Sequence, residues 1–191
     1  MNNSWRTVDI VVTAAIAVAF GVVYWAWGFL YSTISPLFAF YSPANSVVDG
    51  MWLVAGVLAG LVVRKPGAAL FAELVAASIE AALGGQWGLD TIVSGAVQGF
   101  GAEIVFAGTR YQMWNLGIAV VAAAASAIAG WLHDVPIFYA DLTVTDWIAL
   151  LIIYVVSGVI IAGVGSWWLM RALAQSGVLA QFPSGRAQTR V

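Results

Sequence analysis

The sequence predicts an all-α integral membrane protein with six transmembrane helices and both termini in the cytoplasm. Three observations support this prediction: 62% of the 191 residues are hydrophobic, only 8% are charged, and the apolar residues form runs of about 20. The mean hydropathy is +0.94. A water-soluble domain of this length could not bury so much apolar surface, so the bilayer must cover part of it.

Six apolar runs are long enough, with generous ends, to cross a bilayer core. They lie at about 8–30, 47–63, 66–83, 90–109, 114–132 and 146–170. Pro66 suits the first turn of the third helix, and Gly84 with Gly85 suits its end. Asp90 and Thr91 offer an N-cap to the fourth helix.

The domain organisation follows from these runs. Residues 1–174 are expected to form one transmembrane domain, and residues 175–191 a short cytoplasmic tail. The first run is longer than the core of a secretory signal and lacks its small-residue cleavage site, so we expect it to remain as a spanning helix.

The positive charges set the orientation, because cytoplasmic loops carry an excess of Lys and Arg. Six alternating helices place all of them on one side: Arg6, Arg64, Lys65, Arg110, Arg171, Arg186 and Arg190. The opposite side receives Asp49, Asp90, His133, Asp134, Asp141 and Asp146. The first side is therefore predicted to be cytoplasmic.

Small residues recur at a spacing of four, which lets helix backbones approach closely. The first helix has two such pairs, Ala15 with Ala19 and Ala17 with Gly21. Later helices repeat the spacing at Gly56 and Gly60, Gly95 and Gly99, and Ala122, Ser126 and Gly130. The spacing alone fits internal packing and subunit contact equally well.

Three glutamates lie inside the apolar runs, where an ionised carboxylate costs at least about 2.5–3.5 kcal/mol. At a rise of about 1.5 Å per residue, Glu73 and Glu103 fall at one depth, and Glu80 lies further out with Gln98. No Lys or Arg in the runs can pair with these acids. We expect Glu73 and Glu103 to form a buried polar layer that locks helices together or shapes a pocket floor.

Glu80 is expected to bind a ligand, because it lies nearest the aromatic outer loops. Residues 31–46 contain four aromatic side chains and are predicted to form a lid. A carboxylate in an aromatic pocket suits a cationic or amino-heteroaromatic ligand. Gln98 is the second principal contact, and the further candidates are Tyr41, Asp49, Trp52 and Trp87.

Several other functions lack the residues they require. The chain has one His and no Cys, no G-x-S-x-G and no P-loop, so we expect no metal site, no catalytic residues, no cofactor and no ATP binding of its own. A net charge of −2 without a basic patch argues against nucleic acid as a partner. Any active transport must draw on an ion gradient or another subunit.

Two stretches, "RKPGAALFAELVAASIEAALGG" and "VSGAVQGFGAEIVFAGTRY", resemble the YkoE-type family of thiamine or hydroxymethylpyrimidine S components. These are the substrate-binding subunits of energy-coupling factor (ECF) transporters of prokaryotic plasma membranes. The resemblance implies a six-helix subunit without catalytic activity that captures the vitamin or its pyrimidine precursor from outside. It also implies a transmembrane coupling subunit and two cytoplasmic ATPases as partners.

The resemblance further implies roles for individual residues. Glu80 would recognise the aminopyrimidine with Gln98 as its hydrogen-bonding neighbour. Ala15 with Ala19 would contact the coupling subunit, and Ala17 with Gly21 are the neighbouring alternative. Two other functions remain open. One is a standalone proton-coupled carrier that uses Glu73, Glu80 and Glu103 as a relay. The other is a structural membrane subunit whose carboxylates only join helices.

Overall fold

All regular elements of residues 4–186, which the computed structural model of the protein describes, are helical. The α-helices are α1 Thr7–Ile34, α2 Val54–Val63, α3 Ala68–Ala82, α4 Asp90–Gly108, α5 Leu116–Phe138, α6 Val144–Gly158, α7 Gly165–Gln175 and α8 Pro183–Arg186. Two 3₁₀ helices, Ser35–Phe38 and Ser42–Leu53, precede α2, and a π-helix, Val159–Val164, joins α6 to α7. The predicted all-α class is confirmed. Arg190, one of the positive residues predicted to be cytoplasmic, lies outside the described residues.

Within residues 4–186, five segments are long and apolar enough to cross a membrane: Thr7–Phe38, Ser42–Val63, Asp90–Gly108, Leu116–Phe138 and Val144–Gln175. The protein is therefore a multi-pass membrane protein. The predicted third span, 66–83, forms α3, which has only 15 residues. At about 1.5 Å per residue it is some 22 Å long, shorter than the roughly 30 Å of a bilayer core.

Two helices run further than the sequence predicts. The first helix continues to Ile34, and within it Ser32 and Thr33 donate their hydroxyl hydrogens to the carbonyls of Gly28 and Phe29 one turn earlier. Most of the predicted loop 31–46 is thus helical turn. The fifth helix likewise continues to Phe138 with Pro136 inside it.

The second helix is the centre of the bundle, since all ten of its residues are buried. The first helix presents opposite faces to the bundle and to its surroundings. Ala17 and Gly21 are buried, and a Cβ on Gly21 would lie 2.7 Å from Cβ of Ile79 in α3. Ala15 and Ala19 are exposed. Ala17 and Gly21 therefore pack inside the bundle, whereas Ala15 and Ala19 lie on its outer surface.

The third and fourth helices approach closely at Gly99 of α4. A Cβ there would lie 2.8 Å from Cβ of Glu73 and 3.0 Å from Cα of Leu70. Gly99→Ala is expected to destabilise the protein by about 1–3 kcal/mol, because backbone atoms cannot move aside cheaply. Thermal unfolding in detergent measures the loss.

Gly108, the last residue of α4, is the matched control, since a Cβ there meets nothing within 4 Å. Gly108→Ala should leave stability unchanged or raise it by up to about 1 kcal/mol. Equal melting of the two alanine variants would contradict the proposed close approach at Gly99.

One end of the bundle, here called the basic end, gathers the N-terminus, the α2–α3 turn and the chain after α7. Trp5 donates its indole N–H to the carbonyl of Pro66, and the Arg6 guanidinium lies 5.8 Å from the ring centroid of Phe182. The hydroxyl of Ser184 donates to the carbonyl of Val62. Leu179, Phe182 and Ser184 are buried. The described part of the predicted tail therefore packs against the end of α2.

The opposite end is here called the acidic end. At this end the residues around the end of α1 are hydrogen-bonded to the loop between α3 and α4 and to the segment before α2. Ser32 donates to Oε1 of Gln86, and Asn45 donates to the hydroxyl of Ser35. Asp90, predicted as an N-cap, is instead the first residue of α4, and its carboxylate lies 3.5 Å from Nε2 of His133.

Candidate ligand-binding site

A cavity of about 270 Å³ opens at the acidic end of the bundle. Of the predicted contacts, Asp49, Trp52, Glu80, Trp87 and Gln98 line it. Tyr41 is not among the lining residues and is 37% exposed. The lining carries five carboxyl groups, on Asp49, Glu73, Glu80, Asp90 and Asp134, and no Lys or Arg. This composition favours a ligand that is cationic or rich in hydrogen-bond donors.

Glu80 lies in the last turn of α3, which ends in a Schellman motif. Gly84 adopts a positive φ of 84°, Gly85 donates to the carbonyl of Glu80, and Gly84 donates to that of Ala81. The predicted glycine end is thus confirmed. The side chain of Glu80 is 1% exposed, its Oε1 accepts the indole N–H of Trp52 at 3.1 Å, and its Oε2 has no hydrogen-bond partner within the described protein.

Three aromatic rings form one wall of the cavity. Tyr31, Trp52 and Trp87 contact one another edge to face, with centroid distances of 5.5, 5.5 and 5.1 Å. Such rings attract cations and stack on heteroaromatic ligands. Sequence reasoning missed Tyr31, although it opens the aromatic segment that was predicted to form a lid.

Gln98 is held by side chains of α4 and α6. Its Nε2 donates to the hydroxyl of Tyr154 at 3.1 Å and to that of Ser94 at 3.0 Å. The predicted neighbour Glu80 is not among its hydrogen-bond partners. Both residues nevertheless line the same cavity. The amide of Gln98 is therefore oriented by the protein before any ligand arrives.

Glu73 caps the central helix from a neighbouring helix. Its Oε2 accepts the backbone N–H of Gly56 at 2.6 Å, and the hydroxyl of Tyr24 accepts the N–H of Ala55 at 2.8 Å. These N–H groups belong to the first turn of α2, where a helix lacks internal acceptors. The residue before that helix, Leu53, has no side chain that can cap it.

Glu103, in α4, caps the start of α3 in the same way. Its carboxylate accepts the N–H groups of Gly67 at 2.6 Å and Ala69 at 3.0 Å, and the hydroxyl of Tyr111 at 2.7 Å. It thereby caps the start of α3 from α4. Glu73 and Glu103 are both buried, but each caps a different helix and they do not share partners. Only Glu73 also lines the cavity.

Asp134 of α5 and Tyr139, the residue after that helix, add further polar groups to the cavity. Nδ1 of His133 lies 2.8 Å from Oδ1 of Asp134, one of the lining carboxylates. Burial raises the pKa of Tyr139 to about 12, so its hydroxyl stays neutral at physiological pH. Among residues 4–186, no three His, Cys, Asp or Glu side chains are grouped so that they could hold a metal ion.

The fold and the site together are those of a multi-pass membrane protein with a polar, aromatic-walled cavity at its acidic end. A family described as "ABC-type cobalt transport system, permease component" matches residues 8–129. The proposed HMP/thiamine permease protein YkoE of Bacillus subtilis (strain 168) is 33% identical over 185 residues, 96% of this chain and 92% of that protein.

A solved structure described as an S-component of an ECF transporter superposes with a TM-score of 0.93 at 32% identity. The match covers 98% of this chain and 94% of that one. The chain belongs to the YkoE-type family of S components of ECF transporters.

Proposed function

We propose that this protein is the substrate-binding subunit of an ECF vitamin transporter and captures thiamine or its hydroxymethylpyrimidine precursor from outside the cell. It has no catalytic activity itself, and partner ATPases hydrolyse ATP. The observation that carries the proposal is the Glu80 site. A buried carboxylate with one oxygen unpartnered stands beside the Tyr31, Trp52 and Trp87 wall.

The chemistry of the ligand matches this site. An aminopyrimidine presents an N–H donor to the free carboxylate oxygen and a flat ring to the aromatic side chains. The thiazolium of thiamine adds a permanent positive charge, which the aromatic rings and the lining carboxylates attract. The name of one relative, YkoE of Bacillus subtilis, points to the same pair of compounds.

The topology proposed for transport has six crossings, with α3 as the short one. The basic end, with Arg6, Arg64 and Lys65, faces the cytoplasm because positive residues are retained there. The cavity at the acidic end then opens to the outside of a prokaryotic plasma membrane. The side chain of Glu80 lies at the outer end of α3, within reach of an arriving ligand.

The exposed face of α1 is proposed to contact the coupling subunit, because Ala15 and Ala19 present small side chains outward. The double variant Ala15→Leu, Ala19→Leu should bind thiamine like the wild type yet lose co-purification with a tagged coupling subunit and ATP-driven uptake. The double variant Ala107→Leu, Ala172→Leu adds the same bulk at exposed positions of α4 and α7 and should retain both. Normal uptake by the double variant would place the coupling subunit elsewhere.

Isothermal titration of the purified protein with a small panel tests the proposal. We expect binding of thiamine or hydroxymethylpyrimidine and no binding of Co²⁺. Thiamine monophosphate should bind more weakly, because the cavity has five carboxyl groups and no Lys or Arg to pair with its phosphate. Binding of Co²⁺ without either vitamin would overturn the proposal. Vitamin uptake into liposomes by this chain alone, driven by a pH gradient, would instead favour the proton-coupled carrier.

A further inference from the structure

A second buried carboxylate, that of Glu73, lines the cavity, and its helix-capping role uses only one of its two oxygens. Glu73 is 1% exposed and lines the cavity, and its Oε2 caps the backbone of Gly56. Its other oxygen, Oε1, takes no part in that cap and has no hydrogen bond of good geometry within the described protein, although the hydroxyl of Tyr24 also lies beside the carboxylate. A buried polar atom without a partner destabilises the folded protein, and more so when it is charged. A cap alone needs only one of the two oxygens.

The unpartnered buried side-chain atoms of the described protein concentrate in this cavity. They are Asn45 Oδ1, Glu73 Oε1, Glu80 Oε2, Thr91 Oγ1 and Arg171 Nε. Of the five residues, Glu73, Glu80 and Thr91 line the cavity. The two glutamates are seven residues apart on one helix, so they share a face and their Cα atoms are separated by about 10 Å along its axis.

We propose that Glu73 is a second recognition carboxylate, and that the site binds a ligand carrying two hydrogen-bond donors held far apart. This inference rests on the proposed function and selects between its two ligands. Thiamine carries an amino group on one ring and a hydroxyethyl group on the other, so it reaches both acids. Hydroxymethylpyrimidine carries its amino and hydroxymethyl groups on neighbouring carbons of one ring, so one molecule reaches only one of them.

Glu73→Gln isolates the recognition role from the capping role. A glutamine side chain keeps an amide oxygen that can accept the N–H of Gly56, so the cap on α2 survives. Its second atom becomes an NH₂ donor, which repels a ligand donor. Glu80→Gln makes the same change at the other acid. Glu103→Gln is the matched control, because Glu103 is also a buried capping glutamate but does not line the cavity.

The experiment titrates thiamine and hydroxymethylpyrimidine against the wild-type protein and these three variants. We expect thiamine to lose about tenfold or more in affinity in both Glu73→Gln and Glu80→Gln. Hydroxymethylpyrimidine should lose affinity in only one of the two, and Glu103→Gln should bind both ligands normally. A thiamine analogue without the hydroxyl group should bind the wild type more weakly, and that penalty should vanish in one of the two cavity variants.

Three results would overturn the inference. Wild-type thiamine affinity in Glu73→Gln would make Glu73 a cap only. If both cavity variants lost affinity for thiamine and for hydroxymethylpyrimidine to a similar extent, the two glutamates would not bind two separate donors of one ligand. An equal loss in Glu103→Gln would assign the effect to stability. By contrast, a wild-type protein that binds neither compound overturns the proposed function itself, and the inference with it.

Discussion

Replacing Glu80 with glutamine is expected to weaken thiamine binding by about 10- to 100-fold with little loss of stability. The variant keeps an oxygen that can accept the indole N–H of Trp52, so the aromatic wall remains in place. It loses the negative charge and the unpartnered Oε2. A hydrogen bond to a charged group contributes about 1.5–3 kcal/mol, which corresponds to that range of affinities. Titration calorimetry measures the dissociation constant.

The same calorimetry on Trp52→Phe separates the carboxylate from its support. Phenylalanine keeps an aromatic ring against Tyr31 and Trp87 but removes the donor to Glu80. We expect a smaller loss than in Glu80→Gln, because the ligand still meets the charged oxygen. Wild-type affinity of Glu80→Gln, in a sample whose circular dichroism and melting are unchanged, would remove Glu80 from the site.

Replacing Glu103 with alanine is expected to destabilise the protein by about 3 kcal/mol or more. The change leaves the N–H groups of Gly67 and Ala69 and the hydroxyl of Tyr111 without their acceptor, and each buried unpaired group costs about 1–3 kcal/mol. The α2–α3 turn, whose Pro66 carbonyl also accepts from Trp5, should loosen with it. Thermal unfolding in detergent measures the effect.

Tyr111→Phe removes one of these hydrogen bonds and should cost only about 1 kcal/mol. Glu103→Gln keeps one acceptor oxygen and should fall between the two. If Glu103→Ala melts with the wild type, the carboxylate does not hold the start of α3, and the reason for an acid at this depth must be sought elsewhere.

The sequence predicts the parts of this fold that depend on local chemistry. Apolar runs of bilayer length mark the long helices, and Gly84 with Gly85 marks the end of α3 because the Schellman motif needs a positive φ there. The position of Glu80 two turns beyond Glu73 is also fixed by helix periodicity. Five of the predicted ligand contacts line one cavity, but they lie on four different segments, so periodicity alone does not bring them together.

Features that depend on tertiary contacts escaped prediction. The packing of Leu179 and Phe182 against the bundle follows no periodic pattern, so the segment resembles a tail in sequence. Tyr31 was missed because the helix continues past the first polar residues and turns the ring inward. One signal was available for the caps: Leu53 and Gly67 precede α2 and α3 without a capping side chain, so the acceptors had to come from other helices.

The decisive measurement is a structure of the purified protein with thiamine bound. We expect the vitamin inside the cavity at the acidic end, with one donor within hydrogen-bonding distance of Oε2 of Glu80 and a ring against Trp52 or Trp87. Thiamine bound outside this cavity, or inside it without a contact to Glu80, would show that Glu80 does not recognise the ligand.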